Sequence, residues 1–191
     1  RIIEEGRSMN IINVTLSGGK PLLHNDFIKF ITKCRELDLS VNILTNLTLL
    51  TDEMIEEMKR NPLLCIQTSI YSMDPSIHDS ITKVKGSLEK TKRNFLKLKS
   101  AGIPLQISCP IMKQNKDSFD TVIDFGRENN TPVAVDYVIF SSYDHSNCNL
   151  INRLSLEEIG QAFDKQSSDE YVDYLYVQAT EKNELTAQAP I

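Results

Sequence analysis

The junction Asn13-Val-Thr-Leu-Ser-Gly-Gly-Lys-Pro-Leu-Leu23 constrains this chain most. An apolar strand runs into paired glycines, then a proline, then a helix. In an α/β protein such a junction lies at the carboxyl end of a strand, where ligands bind. Glycine lets the backbone approach a ligand closely and adopt positive φ without steric cost. Two familiar glycine motifs are excluded. A P-loop needs G-x-x-x-x-G-K-S/T, yet position 14 is Val14 and position 21 is Pro21. The dinucleotide fingerprint fails because the glycines are adjacent.

Strand and helix patterns alternate along the rest of the chain. Strands are expected near 11–16, 41–44, 64–70, 105–111 and 133–140. The first helix carries Phe27, Ile28, Ile31, Cys34 and Leu37 on one face at helical spacing. The second opens at Thr51 and stops before Pro62. The third is capped by Ser87, turns Leu88, Phe95 and Leu98 inward and ends at Gly102. A fourth is expected over 117–129, burying Phe119, Val122 and Ile123. Ser155-x-x-Glu158 reads as a capping box opening a last helix. Residues 71–86 read as a polar loop. The near-continuous apolar run 133–140 suits a strand covered on both faces, with Asp136 needing a partner inside it. Five β-α units result, with parallel strands and right-handed crossovers as the expected topology. The tail after Lys165 is acidic, with a short strand expected at 174–177.

Composition narrows the function classes. The 191 residues are 40% hydrophobic, enough for one sizeable core. A net charge of −5 argues against a general nucleic-acid binder. The basic run 83–99 contains one aromatic, Phe95, and reads as a solvated helix face. There is no apolar run of transmembrane length, so no membrane span is expected. Cys34, Cys65, Cys109 and Cys148 are scattered without a C-x-x-C pair. Spacing therefore reveals no metal site, and the thiols suit a reducing cytoplasm.

The strand ends gather the chemistry. They carry Ser17, Gly18, Gly19 and Lys20; Thr45 and Asn46; Ser69 and Tyr71; Lys113, Gln114 and Asn115; and residues 141–145. Small hydrogen-bonding groups dominate, suited to holding a polar ligand and poor as a self-sufficient acid/base pair. Thr45 and Asn46 can equally make a turn, Asn115 can pre-cap a helix, and Ser69 can be a satisfied strand hydroxyl. His24, His78 and His145 sit far apart in sequence.

The segment Ser17-Gly-Gly-Lys-Pro-Leu-Leu23 resembles the "GGEP" segment of radical S-adenosylmethionine (SAM) enzymes. The resemblance continues through Leu44-Thr-Asn46, Ser69-Ile-Tyr71, His78-Asp-Ser-Ile-Thr82 and Gly86-Ser87. It extends through Gly102-Ile-Pro104, Cys109-Pro-Ile-Met-Lys-Gln-Asn115, Tyr143-Asp-His145 and Asn149-Leu-Ile-Asn-Arg-Leu-Ser155. These segments are most similar to the subgroup that matures peptides and proteins and carries a cysteine-rich SPASM extension. The family fold is a partial (β/α)6 barrel. The resemblance implies that the five units are strands two to six, with the first unit and its C-x-x-x-C-x-x-C loop for a [4Fe–4S] cluster lying outside this chain. It implies a core over 1–165 and an acidic connector over 166–191.

In the family, the cluster reduces SAM and releases a 5′-deoxyadenosyl radical that takes hydrogen from the substrate, here a peptide or protein. By position, Gly18 and Gly19 would contact the methionine part of SAM through the backbone. Thr45, Asn46 and Ser69 would hydrogen-bond its methionine or ribose, and Ile139 with Phe140 would flank the adenine. Lys20 departs from the pattern, which has Glu there. Lysine accepts no hydrogen bond and adds a like charge against the SAM ammonium. At about 4 Å that repulsion is on the order of 1–4 kcal/mol, so weak or absent SAM binding is expected unless Lys20 turns away or pairs with the SAM carboxylate. Without the cluster unit the fragment is expected to be inactive. An incomplete barrel also exposes strand edges through which copies can associate. Two alternatives are a non-radical (β/α)-barrel enzyme using Lys20 or Lys113, and a non-catalytic peptide- or nucleotide-binding domain.

Overall fold

The structure is a computed structural model, and it describes residues 1–18, 20–141 and 147–166. Gly19, residues 142–146 and residues 167–191 lie outside the described set, as does the strand expected at 174–177. The chain divides into two compact units, Arg1–Val138 and Ile139–Ile191.

The first unit is built on five parallel strands in sequential order: β1 (Asn13–Leu16), β2 (Ser40–Leu44), β3 (Cys65–Ser69), β4 (Leu105–Pro110) and β5 (Val133–Asp136). All four pairings are parallel, with Val14 beside Val41, Ile43 beside Ile66, Ile66 beside Leu105 and Ile107 beside Val133. The helices are α1 (Ile2–Ser8), α2 (Phe27–Glu36), α3 (Asp52–Arg60), α4 (Pro75–Thr82), α5 (Ser87–Ser100) and α6 (Asp120–Glu128). The expected alternation is therefore present, with two unexpected helices, α1 and α4.

Side-chain alternation defines two faces of the sheet. Val41, Ile43, Ile66, Ile70, Leu105, Ile107 and Cys109 form the buried row. The alternate row is polar and half-buried: Asn42, Gln67, Ser69, Gln106 and Ser108. A parallel strand buried on both faces reads as a continuous apolar run; these strands instead read as period-two alternation. One face packs against helices, and the other offers hydrogen bonds. The core between sheet and helices is filled by Ile31, Met58, Leu88, Phe95, Leu98 and Phe119, all under 2% exposed. Each such side chain contributes about 1.5–3 kcal/mol on burial.

Local chemistry explains the boundaries. Thr51 Oγ1 accepts from Met54 N at 3.2 Å and caps α3 as expected. Helix α4 interrupts the expected loop because Asp74 caps it, accepting from Ser76 N at 2.7 Å, while Pro75 occupies its first turn. Ser87 does not cap α5. It lies inside the helix, and Gly86, at φ 77, holds the cap position. The orphan donors there go to Asp79 of α4, which accepts from Leu88 N at 3.0 Å, from Ser87 Oγ at 2.9 Å and from Gly86 N. A carboxylate outcompetes a serine hydroxyl at a helix amino terminus because it also meets the helix dipole.

Two further expectations change. Helix α6 begins only at Asp120; Phe119 and Val122 are buried as expected, and Phe125 joins them, while Ile123 is half-buried. The last strand stops at Asp136, and no residue of β5 is fully buried. Asp136 is exposed rather than enclosed. Its Oδ1 accepts from Val138 N at 2.9 Å, a side-chain turn that ends the strand.

The second unit contains a 3-10 turn (Cys148–Asn152) and α7 (Leu156–Gln166). The capping box at α7 is present in full: Ser155 N donates to Glu158 Oε2 at 2.8 Å, and Glu158 N donates to Ser155 Oγ at 3.1 Å. Among the described residues, no helix is long and apolar enough to cross a membrane.

Candidate functional site

A cleft of about 260 Å³ opens at the carboxyl ends of β1, β2, β3 and β4, lined by Ser17, Gly18, Leu44, Thr45, Asn46, Gln67, Ser69 and Ser108. Of the sequence-derived candidates, Ser17, Gly18, Thr45, Asn46 and Ser69 come together here. Gly19 lies outside the described residues. Lys20 follows two positions after Gly18 and is exposed, but it is not part of the lining. Ile139 belongs to the second unit, where its carbonyl accepts from Arg153 Nε at 2.7 Å.

The register of the sheet assembles this lining. Ser69 pairs with Ser108, and Leu44 pairs with Gln67. Gln67 and Ser108 were not singled out from sequence. Their signal is the alternation Ile66-Gln67-Thr68-Ser69 and Ile107-Ser108-Cys109, which places both on the polar row.

Each rim group has a defined hydrogen-bonding state. Gly18 holds φ 109, a conformation that side-chain-bearing residues rarely adopt. Nothing lies within 4 Å of where a Cβ would stand, so the backbone itself faces open space. Thr45 Oγ1 accepts from Leu47 N at 3.2 Å, which leaves its hydroxyl hydrogen for donation. Asn46 Oδ1 accepts from Thr48 N at 3.2 Å and from Thr48 Oγ1 at 2.9 Å. That assignment leaves the Asn46 NH2 as a two-donor group at the rim.

Among the described residues no charged side chain lines the cleft. It can hold a polar or zwitterionic group through hydrogen bonds, and it lacks a paired acid and base for proton transfer. Pockets for drug-sized ligands run from about 300 to 1,000 Å³. The cleft therefore has room for an amino-acid-sized portion of a larger ligand. A larger cavity of about 810 Å³ is formed by α1 and α2 residues such as Ile2, Ile3, Ile28 and Phe30. It includes no strand-end residue.

Lys113 and Gln114 are not among the lining residues, and several other candidates serve the fold. Asn115 is fully buried and bonds the Tyr71 and Pro110 carbonyls and Met112 N. His78 is buried, and its Nδ1 accepts from Tyr71 N at 3.3 Å. Burial pushes its pKa below the usual imidazole value. His24 is exposed and accepts from Asp26 N at 3.1 Å. Cys34 and Cys109 are fully buried; burial raises the Cys34 and Cys65 thiols and pushes Cys109 up to about 12. Among the described residues no three His, Cys, Asp or Glu side chains gather as a metal site. These thiols do not fit an iron–sulfur cluster, which needs convergent thiolates.

A parallel sheet with helical crossovers and a polar cleft at its strand ends defines a partial (β/α)-barrel protein. Residues 1–126 match the profile of the radical SAM superfamily. The chain belongs to that superfamily. It is 26% identical over 124 residues to the PqqA peptide cyclase of Granulibacter bethesdensis, covering 65% of this chain and 33% of that protein. It is 28% identical over 138 residues to the AdoMet-dependent heme synthase of Methanosarcina barkeri, covering 72% of this chain and 39% of that protein. Streptococcus suis SuiB bound to its precursor peptide SuiA shares the fold, with a TM-score of 0.69 at 18% identity, over 94% of this chain and 39% of that one. The chain thus spans between a third and two fifths of the length of these relatives.

Proposed function

We propose that this chain is the SAM-binding part of a radical SAM oxidoreductase core that modifies a peptide or protein. The observation that carries the reading is the uncharged strand-end cleft. Its size suits the methionyl portion of SAM, and its groups are those that a zwitterion requires. Gly18 offers open backbone, Thr45 a hydroxyl donor and Asn46 two amide donors. Ser69 and Ser108 add hydroxyls beside them. Gly19 would extend the backbone contact.

SAM supplies, when bound in this superfamily, the adenosyl group from which a hydrogen-abstracting radical is drawn. The residues of this chain bind and orient. The peptide-modifying names of the relatives support a peptide or protein substrate. Because the described thiols do not fit a cluster, this chain by itself is expected to bind without turnover. A core over 1–165 followed by a connector over 166–191 belongs to the same reading, as do a cytoplasmic location for its four free thiols and self-association through the edges at β1 and β5.

The test takes the full natural gene product that contains this chain, supplied with iron and sulfide under reducing conditions. Release of 5′-deoxyadenosine that rises with added peptide supports the reading. An assembled cluster that leaves SAM intact overturns it.

A further inference from the structure

The turn that carries Thr45 and Asn46 into the cleft is strained, and its restraint lies on a different element. Leu47 has φ 59, in the left-handed region, while its side chain is fully buried. A leucine there is strained and persists only where surrounding contacts over-determine it. Those contacts come from α5. Asn94 Nδ2 donates to the Leu47 carbonyl at 2.7 Å, and Thr91 Oγ1 donates to the Asn46 carbonyl at 3.0 Å. The donors stand three residues apart on one helix face and grip two consecutive carbonyls.

Packing alone does not account for these residues. Beyond Ser87 in its first turn, the inward face of α5 is otherwise apolar, through Leu88, Phe95 and Leu98. Asn94 is 4% exposed and Thr91 is 1% exposed. Polar groups so deeply buried cost free energy unless they are bonded, and each of the two bonds the turn. A turn held in this way keeps Leu47 N on Thr45 Oγ1 and Thr48 N on Asn46 Oδ1. That bonding frees the Thr45 hydroxyl hydrogen and the Asn46 NH2 to face the cleft.

We infer that Thr91 and Asn94 are positioning residues: they touch no ligand, and they hold the strained turn 45–47 so that the donors of Thr45 and Asn46 are set before a ligand arrives. The inference rests on the reading of the cleft as the site for the amino-acid end of SAM. Pre-set donors improve affinity because less ordering remains to be done on binding.

The test compares Asn94→Ala, Thr91→Val and Thr91→Ser with Leu98→Val, a cavity change on the same buried face. Three quantities are read: the unfolding midpoint, hydrogen exchange of the Leu47, Thr48 and Leu50 amides, the last of which donates to the Leu47 carbonyl at 3.1 Å, and affinity for S-adenosylhomocysteine, which keeps the amino-acid group without the sulfonium charge. Asn94→Ala and Thr91→Val are expected to speed exchange of those amides and to weaken binding, each about tenfold. Thr91→Ser keeps the hydroxyl and is expected to restore both to within about twofold of the parent chain. Leu98→Val is expected to lower the midpoint while leaving exchange at the turn and affinity within about twofold. The inference is overturned if Leu98→Val loosens the turn as much as Asn94→Ala, or if Asn94→Ala leaves exchange unchanged. A parent chain that binds neither SAM nor S-adenosylhomocysteine defeats the functional reading instead. In that case the exchange comparison alone decides whether the clamp exists.

Discussion

The Asn115 side chain donates to the Tyr71 carbonyl at 2.7 Å, joining the loop after β4 to the loop after β3 across 44 residues of sequence. The same amide donates to the Pro110 carbonyl at 3.1 Å, and its oxygen accepts from Met112 N at 2.7 Å. Fully buried itself, it bonds three backbone groups of half-buried residues. Replacing it with Leu leaves these groups unpaired, at about 1–3 kcal/mol each where no relaxation occurs. We expect a net loss of about 3 kcal/mol, which lowers the unfolding midpoint by about 10 °C in a chain of this size. Urea unfolding of Asn115→Leu checks the value; a loss no larger than that of a surface control contradicts the clasp.

Stability is expected to fall in two steps on acidification. Burial lowers the His78 pKa, so the imidazole is neutral in the fold and protonates more readily when unfolded. The unfolded chain then binds more protons, and stability is lost as pH falls below the unfolded value of about 6.5. Asp79 is lowered by hydrogen bonds from Leu88 N, Gly86 N and Ser87. Its contribution is complete above the unfolded carboxylate value of about 3.9 and is lost as pH falls through the folded value. The slope of stability between pH 7 and 5 should flatten in His78→Gln and persist in Asp79→Asn. Chemical denaturation across that range reads both, and a His78→Gln slope equal to the parent's rejects the assignment.

The Thr68 hydroxyl is buried in the apolar row between Ile66 and Ile70, with no hydrogen-bond partner among the described residues. Burying an unbonded hydroxyl costs about 1–3 kcal/mol on mutational scales. Valine keeps the β-branched shape and removes that cost. Thr68→Val is expected to stabilise the chain by about 1 kcal/mol, read as a higher urea midpoint at unchanged slope. A destabilised variant shows that the hydroxyl is bonded in solution.

Local signals carried most of this fold. Thr51 and the Ser155–Glu158 box are caps whose partners lie within three residues, so composition at fixed spacing reveals them. The α5 cap is not legible that way, because its acceptor, Asp79, lies on another helix. Asp136 departs from its sequence pattern for a related reason: apolar neighbours suggest burial, while its own short side chain bonds the backbone two residues on and ends the strand. For the site, Gly18, Thr45, Asn46 and Ser69 stand at strand ends that periodicity locates. Gln67 and Ser108 required the register, since only pairing shows which polar residues share a face. Thr91 and Asn94 were hidden inside an apolar helix pattern, and their role appears only with the Asn46 and Leu47 carbonyls in place.

Lys20 provides the sharpest test of the cleft as a SAM site. It lies two residues beyond Gly18, and among the described residues no carboxylate lines the cleft to balance an approaching ammonium group. SAM carries both an ammonium and a sulfonium, so a nearby lysine opposes it, by about 1–4 kcal/mol at 4 Å depending on the local dielectric. Lys20→Glu replaces repulsion with an acceptor and should tighten SAM binding about tenfold or more, with Lys20→Gln between the two. S-adenosylhomocysteine lacks the sulfonium charge and should gain less from Lys20→Glu. Raising salt to about 0.5 M shortens the Debye length to a few ångströms and should narrow the differences among the three chains. Calorimetric titration of each chain with both ligands reads every comparison. If Lys20→Glu binds SAM no more tightly than the parent at low salt, Lys20 does not face the ligand, and the cleft does not hold the amino-acid end of SAM in the way proposed.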